Sequence, residues 1–441
     1  MIRFLTCLIC FGLISIKILA CPQTISLQSD IDNFKFNYPE CKVINHSLTI
    51  EGNNINQLHG LEIITEITGR LTIRNTHLTN LKGLDNLKEV WFLNIDNNED
   101  LINLKGLNQL DCILSRIRIL RNHELISLDA LEKLSSIEGD FEIFNNQKLT
   151  NIGDLLNLES IGGALTIEHN PHLQRISGLN NLNSAHDIFI DNNEILSSID
   201  GLNNIDSVVN NFRIGYNFQL SDLSGLKNLK KAHNFSIEKN PNLNSLDGLA
   251  SLYELSGSFY IYQNENLESL DGLNSLVKSP FITIIGNKKL VDISALRKIC
   301  TTSLTFITVR NNESLSDCAI EPICYLLKSG TGFQIISNNK GHCDNIAVLS
   351  EACDNNPALD NGLNIQLFPN PAHSYLFFAC QELLEVKSVK VFNMAGSLVT
   401  SLEPDGNAID ISTVPTGWHL VQLEIESFYA KNYFEELIYV H

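Results

Sequence analysis

The sequence predicts an all-β protein: a solenoid of short stacked coils with disulfide-bonded caps, followed by a small β-sandwich. Three observations carry this expectation. A phrase typified by residues 162–185 returns about every 24 residues through most of the chain, which is a solenoid period. Within each copy, apolar residues alternate ahead of a fixed Asn, and alternation is the signature of a half-buried strand. The last stretch, from about Leu363 to His441, abandons the period for plain alternation broken by turn residues.

Each copy of the phrase has the same slots. Two aliphatics flank a free residue, two more free residues follow, then Asn, Leu, a Gly-Leu pair and a last Leu. Leu165, Ile167, Asn170, Leu173, Gly178, Leu179 and Leu182 fill them in the central copy. Leu165 and Ile167 alternate with Thr166 and Glu168, so the aliphatics point into the coil and their neighbours at water. The coil must then turn, and turning strips backbone N–H and C=O groups of their strand partners. An Asn amide both donates and accepts, so a stacked row of Asn can satisfy those groups coil after coil. The row runs through Asn53, Asn98, Asn122, Asn146, Asn170, Asn193, Asn217, Asn240, Asn264, Asn287, Asn312 and Asn338, with Thr76 as its one break. Gly201, Gly225, Gly248 and Gly272 suit a bend that a Cβ would obstruct. One coil cannot hold itself; stacking supplies the shared core.

Ahead of the repeat, residues 1–20 carry Arg3 and then an apolar run from Phe4 to Ala20 broken only by Lys17. That composition reads as a secretory signal peptide rather than a membrane anchor. No later stretch approaches the roughly 20 uninterrupted apolar residues of a spanning helix. The formal net charge over 441 residues is −19, and loss of Arg3 and Lys17 with the signal takes the mature chain to −21. Such a charge argues against nucleic acid and anionic membrane surfaces as partners.

Cysteine placement points to the same compartment. Cys21 and Cys41 bracket the start of the solenoid, and Cys318, Cys324, Cys343 and Cys353 crowd its end. Disulfides there suit an oxidising compartment and staple the exposed terminal coils. A Cys21–Cys41 bridge contributes about 3 kcal/mol in the chain-entropy model. The pairing inside the distal four stays open. Lipidation of Cys21, after Ile-Leu-Ala, is a rival use of that thiol. Cys112, Cys300 and Cys380 are left as small buried hydrophobes.

Residues 21–41 lack the repeat, and Ser29-Asp30-Ile31-Asp32 with Phe34 predicts a capped short helix over the first coil. Regular coils run from about Val43 to Cys300. Residues 321–328 and 345–353 have helical patterning, with Gly330 and Gly341 as stops, and would cover the far edge of the sheet. From Asp354 to Gly362, Asn, Asp, Pro and Gly dominate, which is a linker composition.

Leu-Thr-Ile, then Asn, then Leu-x-x-Leu-x-Gly-Leu resembles the receptor L domain, and most closely its bacterial members. The opening Cys21, Phe34, Tyr38-Pro39 and Cys41 are similar to that family's caps. So are the closing Cys318, Pro322-Ile323-Cys324, Asn338-Asn339, Cys343 and Cys353. The resemblance covers residues 21–353 and implies a right-handed β-helix. An ordinary leucine-rich repeat is the competing reading. It places Leu two residues after the Asn, whereas Leu173 and Leu220 come three after.

Beyond the linker, residues 375–378, 389–392, 409–411 and 420–423 read as strands, and Asn393-Met394-Ala395-Gly396 as a hairpin turn. Phe368-Pro369-Asn370-Pro371-Ala372 fixes an extended lead-in. So many short strands predict an Ig-like sandwich over residues 363–441. Phe368–Ala372, Val391–Gly396 and Val414–Gly417 resemble the C-terminal sorting domain of type IX secretion substrates. Pro369, Asn370, Pro371, Gly396 and Gly417 carry that motif. His419 and Glu435-Glu436 depart from it. The resemblance implies the type IX machinery and its sortase as partners, and delivery of the solenoid to the cell surface or the medium.

Catalytic chemistry is harder to find. The sequence has no Gly-x-Ser-x-Gly elbow, no phosphate-binding Gly-rich loop and no His-Glu-x-x-His, and it calls for no cofactor. His169 and His172 lack a third metal ligand. Residues 96–99 and 191–194 offer hard oxygens but read as solvated turns. The water-facing strand slots hold Arg74, Phe144, Phe189, Tyr260 and Tyr262 among Thr, Glu, Asp and Ser. Aromatics on a flat face stack on sugars or anchor protein partners, so Tyr260, Tyr262, Phe189 and Phe144 are the candidate ligand-binding residues. The expectation is a secreted or surface-attached, non-catalytic binding or adhesion module. A passive surface spacer and a hydrolase with an unrecognised site are the alternatives.

Overall fold

The computed structural model describes residues 21–441 apart from 154, 302, 331, 356–366, 369–371, 373, 379–384, 405–407 and 427–430. The expected signal segment, Pro369, Asn370, Pro371, Cys380 and most of the expected linker therefore lie outside the described residues. The chain divides into two compact units between Leu220 and Ser221. Seventeen strands of the parallel, solenoid-like type run through it, eleven in the first unit and six in the second.

The first unit opens on helices Gln28–Asp32 and Phe34–Asn37, which bury Ile31 and Phe34 completely. The expected cap at Ser29 is absent. The N-cap is Leu27, without a side-chain bond, and the helix breaks at Asn33. Cys21 pairs with Cys41 across a Cα–Cα distance of 5.9 Å, so its sulfur is not available to a lipid. Strands Leu48–Glu51, Glu66–Arg74, Glu89–Asp96 and Cys112–Leu120 follow, each pairing in parallel with the next. Phe141–Phe144, Ser160–Glu168, Ser184–Asp191 and Ser207–Gly215 continue the stack. Their inward row, Leu48, Leu71, Leu93, Ile117, Phe141, Leu165, Ile188 and Phe212, is at most 1% exposed.

The longer strands are two half-strands joined by a bend. Register shifts between Ile67 and Arg70, opposite Val90 and Phe92, and again between Ala185 and Ile188. A bend takes amides out of the ladder, and short polar side chains on the preceding coil receive them. Ser47 Oγ accepts from the Arg70 N–H at 3.2 Å, Asp140 Oδ1 from Ala164 at 2.9 Å and Asp187 Oδ1 from Asn211 at 2.9 Å.

After each strand the chain turns through one left-handed residue and then the ladder Asn. Asn75, Asn97, Arg121, Asn145, His169, Asn192 and Tyr216 have φ between 53° and 57°. Such a conformation is costly for a side chain larger than Gly, so the bonds on either side must hold it. They do so through three coils at once. Asn170 donates its N–H to Asn193 Oδ1 at 3.1 Å and its amide to the Ile143 carbonyl at 3.1 Å and the Glu168 carbonyl at 2.9 Å. Its Oδ1 accepts the Asn146 N–H at 3.0 Å. Asn122, Asn146 and Asn193 repeat the set, Asn98 donates to Asn122 Oδ1 and the Ile73 carbonyl, and Asn217 donates to the Ile190 carbonyl at 2.8 Å.

Two ends of the expected row differ. Asn53 is exposed and outside it, and the row starts at buried Thr76, whose hydroxyl donates to Asn98 Oδ1 at 2.7 Å. At the far end the receiving residue is Asn339, whose Oδ1 accepts the Asn312 N–H at 2.9 Å, while Asn338 takes the left-handed place at φ 57°. The recurrent Gly is required by close approach. A Cβ on Gly201 would overlap the Ile176 carbonyl oxygen, and one on Gly248 that of Leu223.

The second unit has a row of its own, in which Asn240, Asn264, Asn287 and Asn312 each donate their N–H to the next Asn at 2.9 to 3.1 Å. Strands Phe306–Arg310 and Phe333–Ser337 extend the coils past Cys300. Helix Glu321–Ser329 ends at left-handed Gly330, and Ile346–Asp354 is capped by Asn345, which accepts from the Val348 N–H at 3.1 Å. Gly341 begins a 3-10 turn, Gly341–Cys343, instead of stopping a helix. Cys318 pairs with Cys343 and Cys324 with Cys353. Cys300, expected as a plain hydrophobe, is disulfide-bonded, and Cys112 is half-buried. The C-terminal residues form a three-stranded antiparallel sheet (Leu367–Phe368, Tyr375–Phe378, Ala408–Asp410) and a four-stranded one. The latter comprises Leu398–Leu402, Glu385–Asn393, Gly417–Glu426 and Lys431–Val440. Leu376, Val389, Val391, Ile409, Val421, Leu423 and Ile438 are fully buried in one core. Gly396, at φ 78°, closes the turn after Asn393, and Gly417, at φ 135°, opens its strand. No helix among the described residues is long and apolar enough to cross a membrane.

Candidate binding surface

The outward strand slots form columns, because each slot lies in register with the same slot one coil away. In the second unit, Tyr260 stands between Ser236 and Thr283, and Tyr262 between Glu238 and Ile285. Their strand neighbours Phe259 and Ile261 are fully buried, so both tyrosines leave the same face. Tyr260 is 42% exposed. Tyr262 is half-buried, with the Lys239 ammonium 5.8 Å from its ring centre.

Phe144 and Phe189 belong to the first unit and occupy different columns. Phe144 lies between Leu120 and Glu168 and packs 5.0 Å from the His169 ring. Phe189 lies between Thr166 and Arg213. Both are half-buried, so neither presents a whole ring to solvent.

Charge on the first unit's face is largely settled between coils. Arg74 meets Glu51 at 2.6 Å, Arg118 meets Glu142 at 2.7 Å, Arg121 meets Asp96 at 2.7 Å, and Arg116 pairs with Asp140. Burial raises the Glu168 carboxyl above its usual range against the opposing pull of His169 and Arg213. Burial would also raise Asp187, but hydrogen bonds from His186 and Asn211 outweigh it and hold that carboxyl low. Glu89 is raised by burial and by its acidic neighbours Glu66 and Asp111.

The polar clusters considered for metals are engaged elsewhere. His172 Nδ1 lies 2.6 Å from the Gln147 carbonyl, and His169 packs on Phe144. Asp96 is held by Arg121, Asp191 lies 3.3 Å from Arg213, and Asn98 and Asn193 sit in the ladder. Among the described residues no group of three His, Cys, Asp or Glu could hold an ion.

One surface feature escapes simple alternation. Trp91 and Phe92 lie between inward Val90 and inward Leu93, where strict alternation puts one of them inside. The strand bends there, and both face out, with Trp91 49% exposed. They line an open cleft of about 580 Å³ with Arg70, Arg74 and a set of hydroxyls. Phe281, 46% exposed, is a further aromatic that slot-counting missed.

Comparison with known proteins adds two matches. Residues 40–128 match the family described as the receptor L domain, and residues 366–433 match the secretion system C-terminal sorting domain. Both are non-catalytic types of domain, and the second implies interaction with a secretion machinery. No curated protein matches the chain.

Proposed function

From a chain that carries a receptor L domain segment and a secretion sorting domain, and is therefore secreted or held at the cell surface, we propose a non-catalytic module that binds a protein or glycan along its strand face. The observation that carries this reading is the tyrosine pair. Tyr260 and Tyr262 project from one face over a fully buried Phe259 and Ile261, so the aromatic surface rests on a rigid support. Pre-ordered aromatics lose little entropy on contact, which is what an anchor requires. Ser236 and Glu238, in the same columns on the preceding coil, supply polar groups to orient a ligand.

In this proposal the L-domain-like architecture is a right-handed β-helix extending over residues 21–353, beyond the matched segment. Residues 354–362 link it to an Ig-like sandwich formed by residues 363–441. The type IX machinery recognises that sandwich and its sortase removes it. Support for the delivery step comes from the sorting-domain match and from Gly396 and Gly417, whose positive φ values suit the turns that the motif places there.

The test is a glycan and protein array probed with the mature chain and with Tyr260→Ser/Tyr262→Ser. Retention of the wild type, with at least about 30-fold loss in the variant and an unchanged circular dichroism spectrum, is the expected result; such a loss corresponds to about 2 kcal/mol. Absence of any retained ligand would favour a passive spacer. Undiminished binding by the variant would remove this face.

A further inference from the structure

We propose that the bend in the early coils of the first unit is a binding site for an acidic saccharide, one carrying a carboxylate on its sugar ring. The site goes beyond the tyrosine face, uses different strands, and stands or falls separately.

Its walls come from the bends of strands Glu66–Arg74 and Glu89–Asp96, which leave Arg70, Trp91 and Phe92 facing one cleft of about 580 Å³. That volume falls in the range that accommodates a small ligand. The decisive residue is Arg70. The region from 66 to 121 contains five arginines, and four are closed by carboxylates: Arg74 by Glu51, Arg116 by Asp140, Arg118 by Glu142 and Arg121 by Asp96. Among the described residues Arg70 has no carboxylate partner. Its guanidinium carbon instead lies 4.3 Å from the centre of the Phe92 ring. An arginine held against an aromatic face keeps its in-plane N–H groups available, and that fork matches a carboxylate.

The rest of the cleft fits a sugar ring. Trp91 offers an exposed indole, the surface on which the C–H face of a pyranose stacks. Thr49 and Thr72 face the cavity in neighbouring coils, and their hydroxyls can both donate and accept. Asn94 lines the same wall, and its buried amide oxygen has no hydrogen-bond partner. An acceptor left in that state is satisfied when a small turn of the amide meets a ligand hydroxyl.

Two features favour a saccharide over an acidic peptide. An extended peptide that docks by strand addition needs an open strand edge. The strand carrying Arg70 is paired on both sides, with Leu48–Glu51 and with Glu89–Asp96. The chain's net charge of −19 also repels a dense polyanion at long range, leaving one contact-range guanidinium to select a ligand whose charge is sparse.

The experiment exploits the tryptophan count. The chain has two, Trp91 and Trp418, so full-length protein carrying Trp418→Phe reports Trp91 alone. Its emission is titrated with trigalacturonate, a hyaluronan tetrasaccharide, the methyl ester of trigalacturonate and tetraglutamate. The expected result is a saturable emission change with at least one uronate. The ester of trigalacturonate should bind about 10-fold more weakly than its acid if that acid is the ligand, and tetraglutamate should not bind. Arg70→Gln in the same background should weaken the bound uronate about 10-fold and leave the circular dichroism spectrum unchanged. Equal binding of acid and ester, indifference to Arg70→Gln, or silence with both uronates overturns the proposal. Tetraglutamate binding as tightly as a uronate overturns it in favour of a peptide site. The acid–ester comparison needs no change at Arg70, so it stands even if that variant folds poorly.

Discussion

Replacing Asn170 with Ala tests whether the turn of each coil is held by its neighbours. Asn170 is fully buried, and truncation removes the acceptor of the Asn146 N–H and the donor to the Ile143 carbonyl, at 3.0 and 3.1 Å. Both groups lie on other coils and cannot reach water without opening the stack. The Asn146 N–H becomes a buried orphan at a cost of about 1–3 kcal/mol, while the Ile143 carbonyl stays in a paired strand, so the variant should lose about 1–3 kcal/mol. The Asn170 N–H keeps its own partner, Asn193 Oδ1, so the loss belongs to the side chain. The assay is guanidinium unfolding of the oxidised chain together with amide exchange at Asn146. A local loss of about 2 kcal/mol corresponds to about 30-fold faster exchange there. Asn170→Asp sharpens the result. It preserves an acceptor but removes the donor, and a carboxylate at this depth resists ionisation. Its pKa would stand above the unfolded value, so that variant should gain stability as pH falls through the window between the two. An unchanged midpoint with unchanged Asn146 exchange in Asn170→Ala would refute the ladder as a support.

Two other substitutions read different parts of the coil. Ala130 has φ 94°, in the place where Gly83 and Gly106 have φ 112° and 119°. Ala130→Gly should therefore raise the unfolding midpoint, by about 1 kcal/mol, and a fall would mean that local packing outweighs backbone strain. Glu89 is held above its usual pKa by burial, Glu66 and Asp111, so its ionised form costs stability that returns as pH falls toward 4.5. Glu89→Gln should be more stable than wild type at pH 7, by less than about 1 kcal/mol after screening. The difference should vanish below pH 4.5, and its persistence there would remove charge as the cause.

The repeat was legible because its two strongest constraints are side-chain identities. Inward aliphatics are forced by burial, and the Asn amide is the one short group that can donate and accept across three coils at once. What remained hidden depends on backbone geometry that many residues can adopt. The left-handed place before each Asn is filled by Arg121, His169, Tyr216 and Gln263 as well as by Asn, so no residue type marks it. That ambiguity is why Asn338 and Asn339 are indistinguishable to a pattern search, and why Thr76 looked like a break when its hydroxyl makes the bond. The bends were invisible for a related reason. They span a variable number of residues between inward positions, from Val90 to Leu93 in one coil and Ile113 to Ile117 in the next, so alternation mis-assigns the corner side chains. Trp91, Phe92 and Arg70 all lie in such a corner. Of the four aromatics that alternation did select, Phe144 and Phe189 are half-buried, and Tyr260 is exposed.

Delivery of the solenoid to the cell exterior by the C-terminal module is tested most directly by fractionation with intact-mass measurement. The full chain, expressed in a host with the type IX machinery, should appear at the surface or in the medium with a mass lacking residues 1–20 and the C-terminal module. The chain deleted from Leu363 to His441 should remain protease-resistant and oxidised but stay in the periplasm. Surface display of that truncated chain at the level of the full one would contradict the account.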